Sequence, residues 1–171
     1  MAARERDAVD RITDQWNEVR PDIDISPVAI IGRVSRLSRL LDRALSVSFA
    51  RFGIENWMYD MLATLRRNGE PYEMTAGDLV SQTMVTTGAI THRIDRLEQL
   101  GWVERLNAPD RRKVIVRLTE SGRALVDRVV VEHVATEQQL LRDLSPRQQT
   151  ELAKALRTVL LTLDDHENPQ R

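Results

Sequence analysis

Residues 86–127 read TTGAITHRIDRLEQLGWVERLNAPDRRKVIVRLTESGRALVD, and the order of patterns in this stretch decides the predicted fold. A helical pattern ends at Leu100, and two alternating, strand-like segments follow at Trp102–Leu106 and Val114–Leu118. The turn between the strands contains three consecutive basic residues, 111–113. A shorter helical pattern precedes the stretch. Helix, turn, helix, strand, basic turn and strand is the order typical of a winged helix-turn-helix.

Helical patterns with clear boundaries flank this stretch on both sides. Upstream, the patterns predict helices at Glu5–Arg20, at Pro27–Phe52 with Ser26 as N-cap, at Glu55–Asn68, and after a Thr75 cap. Downstream, one helix begins at Thr119 and another follows the Ser145-Pro146 cap. The predicted fold is mainly α with a small β-hairpin wing. Residues 1–26 form an extra helix and linker, 53–118 the winged helix-turn-helix DNA-binding domain, and 27–52 with 119–171 the dimerisation helices.

The terminal helices carry more apolar surface than a compact winged helix of this size needs for its own core. Leucine and valine recur at helical spacing from residue 125 to 134 and from 152 to 163. A two-fold homodimer would cover these stripes most simply. Packing within one chain is the alternative.

The composition excludes several classes of site. Cysteine is absent, which removes disulfides, thiol catalysis and cysteine-containing zinc sites. The three histidines lie far apart in the sequence, and neither a nucleophile elbow nor a phosphate-binding glycine loop occurs. We therefore expect no enzyme activity, no metal and no cofactor. No apolar run approaches the roughly 18 residues of a membrane span, and the first residues lack a signal-peptide core. A cytoplasmic protein without a membrane partner is expected.

Charge is distributed unevenly, although the whole chain has a net charge of −1. Residues 91–117 contain seven Lys or Arg against four acidic residues, whereas residues 55–80 contain two arginines against five acidic residues. Such asymmetry fits a protein that presents one segment to phosphates.

The last helix of the motif has one apolar and one polar side. Ile90, Ile94 and Leu97 share the side predicted to face the core. Hydroxyls and free amides at a helix N-terminus bind phosphate, short polar side chains reach base edges, and arginines of a hairpin tip enter the minor groove. The predicted DNA contacts are Thr86, Thr87, Gly88, Thr91, His92, Arg96, Arg111 and Arg112. The alternative is a solvated helix face and a solvated hairpin tip.

Residues 86–127 resemble the MarR family in the recognition helix, in the "DRR" wing, and in the "LTxxGR" start of the following helix. The resemblance extends over roughly residues 27–165. It implies a homodimeric regulator that binds double-stranded DNA at a palindromic operator, most simply as a repressor that a small molecule releases.

A narrower resemblance concerns the ligand. The extra N-terminal helix with Trp16, the segment DxDxSP at residues 22–27 and the pattern of the third helix are similar to the urate-responsive branch of that family. This resemblance implies a urate site formed by Trp16, Asp60, Arg67, Arg93 and Arg105. The spacing adds that Asp60 and Arg67 share a helix face, and that Arg93 on the inward side of its helix needs an anion nearby.

Other interpretations of these five residues remain open. Trp16 can be simple helix packing, Asp60 with an arginine can be a structural ion pair, and Arg105 can face phosphate. The ligand can be another planar anion, such as a phenolic acid, or a tricarboxylate. The protein can also be an architectural winged-helix protein without ligand control. Loss of operator binding with ligand separates the regulators from the architectural protein.

Overall fold

The computed structural model describes residues 6–83, 90–107 and 113–163, which form seven helices and three strands. In chain order these are α1 (Ala8–Val19), α2 (Ser26–Ala50), α3 (Asn56–Arg67), β1 (Glu73–Thr75), α4 (Ala76–Gln82), α5 (Ile90–Gln99), β2 (Val103–Asn107), β3 (Val114–Leu118), α6 (Glu120–Leu140) and α7 (Pro146–Thr162). The predicted fold class, mainly α with a small β wing, is confirmed.

The wing belongs to a three-stranded antiparallel sheet in the order β1-β3-β2. The predicted hairpin of β2 and β3 is present, with Val103 opposite Leu118. Strand β1 pairs on the other edge, where Glu73 lies opposite Arg117 and accepts a hydrogen bond of 2.6 Å from its Nε. Strand β1 was not predicted, because three residues are too few to show an alternating pattern.

Most of the predicted helix caps are confirmed, and one is wrong. The hydroxyl oxygens of Thr75 and Ser145, both predicted as caps, each accept from the backbone N–H three residues later. Thr119, predicted only as the start of its helix, makes the same bond. Ser26 is instead the first helical residue, and the N-cap position is Ile25. The physical reason is Asp24, whose carboxylate accepts from both the backbone N–H and the hydroxyl of Ser26 and so supplies the acceptor that a cap would provide.

The core lies between α3, α5, α6 and the sheet. Its most deeply buried side chains are Met61, Leu62, Leu65, Leu79, Leu97, Val103, Val116, Val126 and Val129. On α5, Ile94 and Leu97 are buried and Ile90 packs partly against them, as the sequence predicted. The opposite side of α5 therefore faces away from the core.

The start of α6 lies directly against the turn before β2. The hydroxyls of Thr119 and Ser121 both donate to the carbonyl of Gly101, at 2.6 and 2.7 Å. Gly122 is buried against the carbonyl group of Trp102. A Cβ at this position would lie 2.8 Å from the carbonyl carbon of Trp102 and closer still to its oxygen. Only glycine fits here without a movement of the backbone.

Helix α1 packs on α2 through a small contact and an ion-pair cluster. Val9 is buried, and its Cγ1 would lie 3.2 Å from a Cβ at Gly32. Arg33 on α2 donates to Asp7 at 2.8 Å and to Asp10 at 2.7 Å. Since Asp7 is also the N-cap of α1, the pairing fixes the beginning of this helix against α2.

Large apolar side chains remain exposed on α2, α6 and α7. They include Ile30, Ile31, Val34, Leu37, Leu40, Val47, Val131, Val134, Leu152, Leu156, Val159 and Leu160. Helix α7 contains no buried residue. None of the helices within the described ranges combines the length and apolarity needed to cross a membrane.

Candidate nucleic-acid interface and anion site

Three of the predicted DNA contacts lie on the outward side of α5. Thr91, His92 and Arg96 are exposed, while Ile94 and Leu97 anchor the same helix in the core. The other predicted contacts, Thr86, Thr87, Gly88, Arg111 and Arg112, lie outside the described residues. The part of α5 that the structure describes therefore offers a hydroxyl, an imidazole and a guanidinium to a surface ligand.

Arg105, which the family resemblance assigned to the ligand, holds α5 against β2. Its guanidinium bonds the carboxylates of Asp95 and Glu98, and its backbone N–H donates to Glu98 Oε1 at 3.1 Å. Burial lowers the pKa of Arg105, but the hydrogen bonds that it donates to Asp95 and Glu98 outweigh burial, and the net shift of the pKa is upward. We refer to Arg105, Asp95 and Glu98 as the clasp.

Arg105→Ala is expected to weaken operator binding without changing its salt dependence. The clasp sets the angle of α5 but neutralises no phosphate, so the number of released counterions stays constant. Arg96→Ala is the matched comparison, because loss of one phosphate contact lowers the slope of log affinity against log salt by about one. Fluorescence anisotropy at several salt concentrations measures both slopes. A slope for Arg105→Ala as shallow as that for Arg96→Ala would place Arg105 on the phosphates instead.

Arg93 lies on the inward side of α5 with an incompletely satisfied guanidinium. Its Cζ atom is 5.4 Å from the centroid of the Trp57 ring on α3. Within the described part of the chain, its Nη1 atom is buried and has no hydrogen-bond partner. The indole N–H of Trp57 donates to Glu55 at 3.0 Å. Trp57 was not among the predicted site residues, although it lies three residues before Asp60 and therefore on the same helix face.

Asp60 and Arg67 lie on the same face of α3 as Trp57, one and three turns further along. Buried Thr64 separates them and donates to the carbonyl of Asp60 at 2.7 Å. The guanidinium of Arg67 donates to the carbonyl of Gln82 at 2.7 Å, which ties the end of α3 to the end of α4. One α3 face thus carries an indole, a carboxylate and a guanidinium, with Arg93 above its first turn.

Another side of α3 is joined to the long helices by stacked rings. Tyr59 stacks on Phe49 of α2 with centroids 4.6 Å apart and meets His133 of α6 at 4.5 Å. Burial, followed by the negative charge of Glu137, raises the pKa of Tyr59, so its hydroxyl stays neutral near pH 7. This aromatic stack fixes α3 to both α2 and α6.

Trp16 lies apart from the other four members of the predicted ligand set. Its side chain is 47% exposed on α1, in a shallow groove lined by Ile12, Gln15, Glu18 and Val19. All of these residues belong to α1. The structure thus places Asp60 and Arg67 on one face of α3, Arg93 over the Trp57 ring at the start of that face, Arg105 in the clasp, and Trp16 on a separate surface. Among residues 6–83, 90–107 and 113–163, no cluster of side chains is suited to a metal ion.

Comparison with known proteins connects this geometry with a family. The model of the MarR family matches residues 52–113. The HTH-type transcriptional regulator PecS of Dickeya dadantii is 42% identical over 149 residues, covering 86% of this chain and 90% of PecS.

Solved structures agree with this match. AbsC, a MarR family transcriptional regulator from Streptomyces coelicolor, superposes with a TM-score of 0.75 at 29% identity, covering 84% of this chain and 98% of AbsC. A mutant MarR from Escherichia coli complexed with operator DNA superposes with a TM-score of 0.69 at 28% identity, covering 85% and 97%.

Proposed function

Because the chain belongs to the MarR family and is a DNA-binding transcription regulator, we propose that it is a homodimeric repressor released from a palindromic operator by urate or a similar planar anion. The DNA contacts in this proposal are Thr86, Thr87, Gly88, Thr91, His92, Arg96, Arg111 and Arg112. The exposure of Thr91, His92 and Arg96 on one side of α5 supports them. So does the operator DNA bound to the similar E. coli MarR mutant.

The buried, unpaired Nη1 of Arg93 is the observation that carries the ligand proposal. Leaving a charged donor buried without an acceptor is costly, and the attraction of the Trp57 ring offsets about 0.5–2 kcal/mol of that cost. An anion that accepts from Nη1 relieves the rest. Arg93 lies on the same helix as the exposed DNA-facing residues, so no long relay is needed to couple the two sites.

The proposed ligand set is Asp60, Arg67 and Arg93. The carboxylate of Asp60 repels an incoming anion. In this proposal the repulsion shifts α5 relative to α3 when the anion binds. A hundredfold change in operator affinity corresponds to only about 2.7 kcal/mol of difference between the two states. Two residues of the predicted set are left out. The clasp already occupies the guanidinium of Arg105, and Trp16 lies on a separate surface made of α1 residues.

The homodimer in this proposal rests on the exposed apolar faces of α2, α6 and α7. Helix α7 buries no residue within its own subunit, although Leu152, Leu156 and Leu160 form an apolar stripe along it. A second copy covers such a stripe with an equivalent one under two-fold symmetry.

Arg93→Gln is expected to abolish the response to urate while leaving operator binding in the absence of urate within about threefold of the wild type. The operator complex is titrated with urate at constant ionic strength, and anisotropy measures the fraction of DNA released. Arg66→Gln is the matched control, because Arg66 lies on α3 but pairs with Asp127 on α6 at 2.7 Å. This control should respond as the wild type does. A wild-type complex that millimolar urate leaves intact would refute urate as the ligand.

A phenolic acid is the second candidate, and the indole of Trp57 beneath Arg93 favours it over a tricarboxylate. Both urate and a phenolic acid are flat, so either can place a negatively charged edge at Arg93 and a ring against the indole. An architectural protein without ligand control would respond to neither compound.

A further inference from the structure

We infer that Trp57 determines the specificity of the anion site, by selecting flat, ring-containing anions over non-planar anions of similar or higher charge. The inference rests on the anion site at Arg93 proposed above and adds to it a residue outside the predicted ligand set. It also makes Trp57, rather than Trp16, the tryptophan that responds most strongly to the ligand.

The ring of Trp57 has a fixed orientation. Trp57 is the second residue of α3, is half-buried and packs against the core. Its indole N–H is bonded to Glu55 Oε2 at 3.0 Å. A ring held by packing on one side and by a hydrogen bond at its nitrogen loses little freedom when a ligand binds, so its contact surface is preorganised.

The unpaired donor lies next to this ring. The Cζ atom of Arg93 is 5.4 Å from the ring centroid, and Nη1 is one bond from Cζ. An acceptor atom on a ligand must come within about 3 Å of Nη1 to form a hydrogen bond. Because the guanidinium lies over the ring, a ligand that reaches Nη1 from the side of α3 meets the indole or its edge.

The shape of the ligand then determines how much binding free energy its contact with the indole contributes. A planar heteroaromatic anion can place its charged edge on the guanidinium and pack its ring against the exposed part of the indole beside it, which adds an aromatic contact to the charge-assisted hydrogen bond. A non-planar anion such as citrate can satisfy Arg93 but has no ring to pack. The indole therefore discriminates by shape where Arg93 discriminates by charge.

Trp16 does not share this environment. It lies on α1 in a groove made only of α1 residues, and nearly half of its side chain is exposed. Within one subunit, Trp57 is the tryptophan whose ring contacts a cation of the proposed site.

Operator release by urate and by citrate, measured at constant ionic strength, tests the inference. Trp57→Leu is expected to raise the urate concentration for half-release by about fivefold to tenfold, and Trp57→Phe, which keeps an aromatic face, by about twofold. Citrate should act as weakly on Trp57→Leu as on the wild type. Trp16→Leu is the matched control and should change the urate response less than Trp57→Leu does. Operator affinity without anion verifies that each variant is folded.

Tryptophan fluorescence gives a second readout in the same proteins. Urate absorbs ultraviolet light, so variants are compared at equal urate concentration, where this absorption is the same. The urate-dependent quench should be largely lost in Trp57→Phe and kept in Trp16→Phe. The reverse pattern, or an unchanged urate response in Trp57→Leu, would overturn the role of Trp57 and leave the anion site intact. A wild type that does not respond to urate or to a phenolic acid would overturn both.

Discussion

Gly122→Ala is expected to destabilise the protein by about 3 kcal/mol or more. The added Cβ would overlap the Trp102 carbonyl, and this carbonyl is held in place because it accepts from the backbone N–H of Thr119 at 3.1 Å. Relief requires α6 to move away from the sheet, which breaks the hydroxyl bonds to Gly101. Urea denaturation monitored by circular dichroism measures the change.

Gly77→Ala is the matched control, since it adds the same methyl group to another helical glycine. The nearest atom to a Cβ at Gly77 is the hydroxyl of Thr75, at 3.9 Å. Alanine favours the helix over glycine by about 1 kcal/mol, so this variant should be as stable as the wild type or slightly more stable. Equal stabilities for the two variants would contradict the tight contact between α6 and the sheet.

Leu156→Asp is expected to convert the proposed dimer into a monomer or an unfolded chain. By symmetry the substitution buries two carboxylates at the interface, and each unpaired buried charge costs several kcal/mol. Sedimentation equilibrium over a range of concentrations measures the association. Operator binding should fall with it, because a monomer contacts one half-site only.

Lys154→Asp places the same side chain on the opposite face of α7 and should leave the dimer intact. Residues 154 and 156 are separated by about 200° around the helix, so only the latter lies on the apolar stripe. A wild-type protein that sediments as a folded monomer would contradict the dimer itself. A Leu156→Asp variant that remains dimeric would place the interface elsewhere.

Features that depend on near neighbours in the chain were predictable from the sequence. The caps at Thr75 and Ser145 follow from side chains that bond amides three residues away. The inward direction of Ile94 and Leu97 follows from the period of a single helix. The resemblance to the MarR family was carried by one continuous stretch for the same reason, because the motif is contiguous in the chain.

Features that depend on distant partners were not predictable. Strand β1 exists because Glu73 meets Arg117 across 44 residues. The clasp joins β2 to α5, and the position of Trp57 under Arg93 appears only when α3 and α5 pack together. A pattern of residue types does not predict which side chains of two different helices contact each other. The predicted ligand set for that reason named a carboxylate and a cation on α3 but did not include the indole of Trp57.

The aromatic stack of Tyr59, Phe49 and His133 would affect how well a dimer matches the spacing of its two operator half-sites. Helix α3 contacts Arg93 of α5 on one face and helices α2 and α6 on another. A tilt of α3 would therefore move α5 relative to α2 and α6. In a symmetric pair both subunits tilt, and the gap between the two recognition helices changes by twice the movement of either one. Half-sites one helical turn apart fix that gap at about 34 Å, and B-DNA does not stretch to follow it. A displacement too small to prevent one α5 helix from binding its half-site is then enough to prevent both α5 helices from binding at the same time.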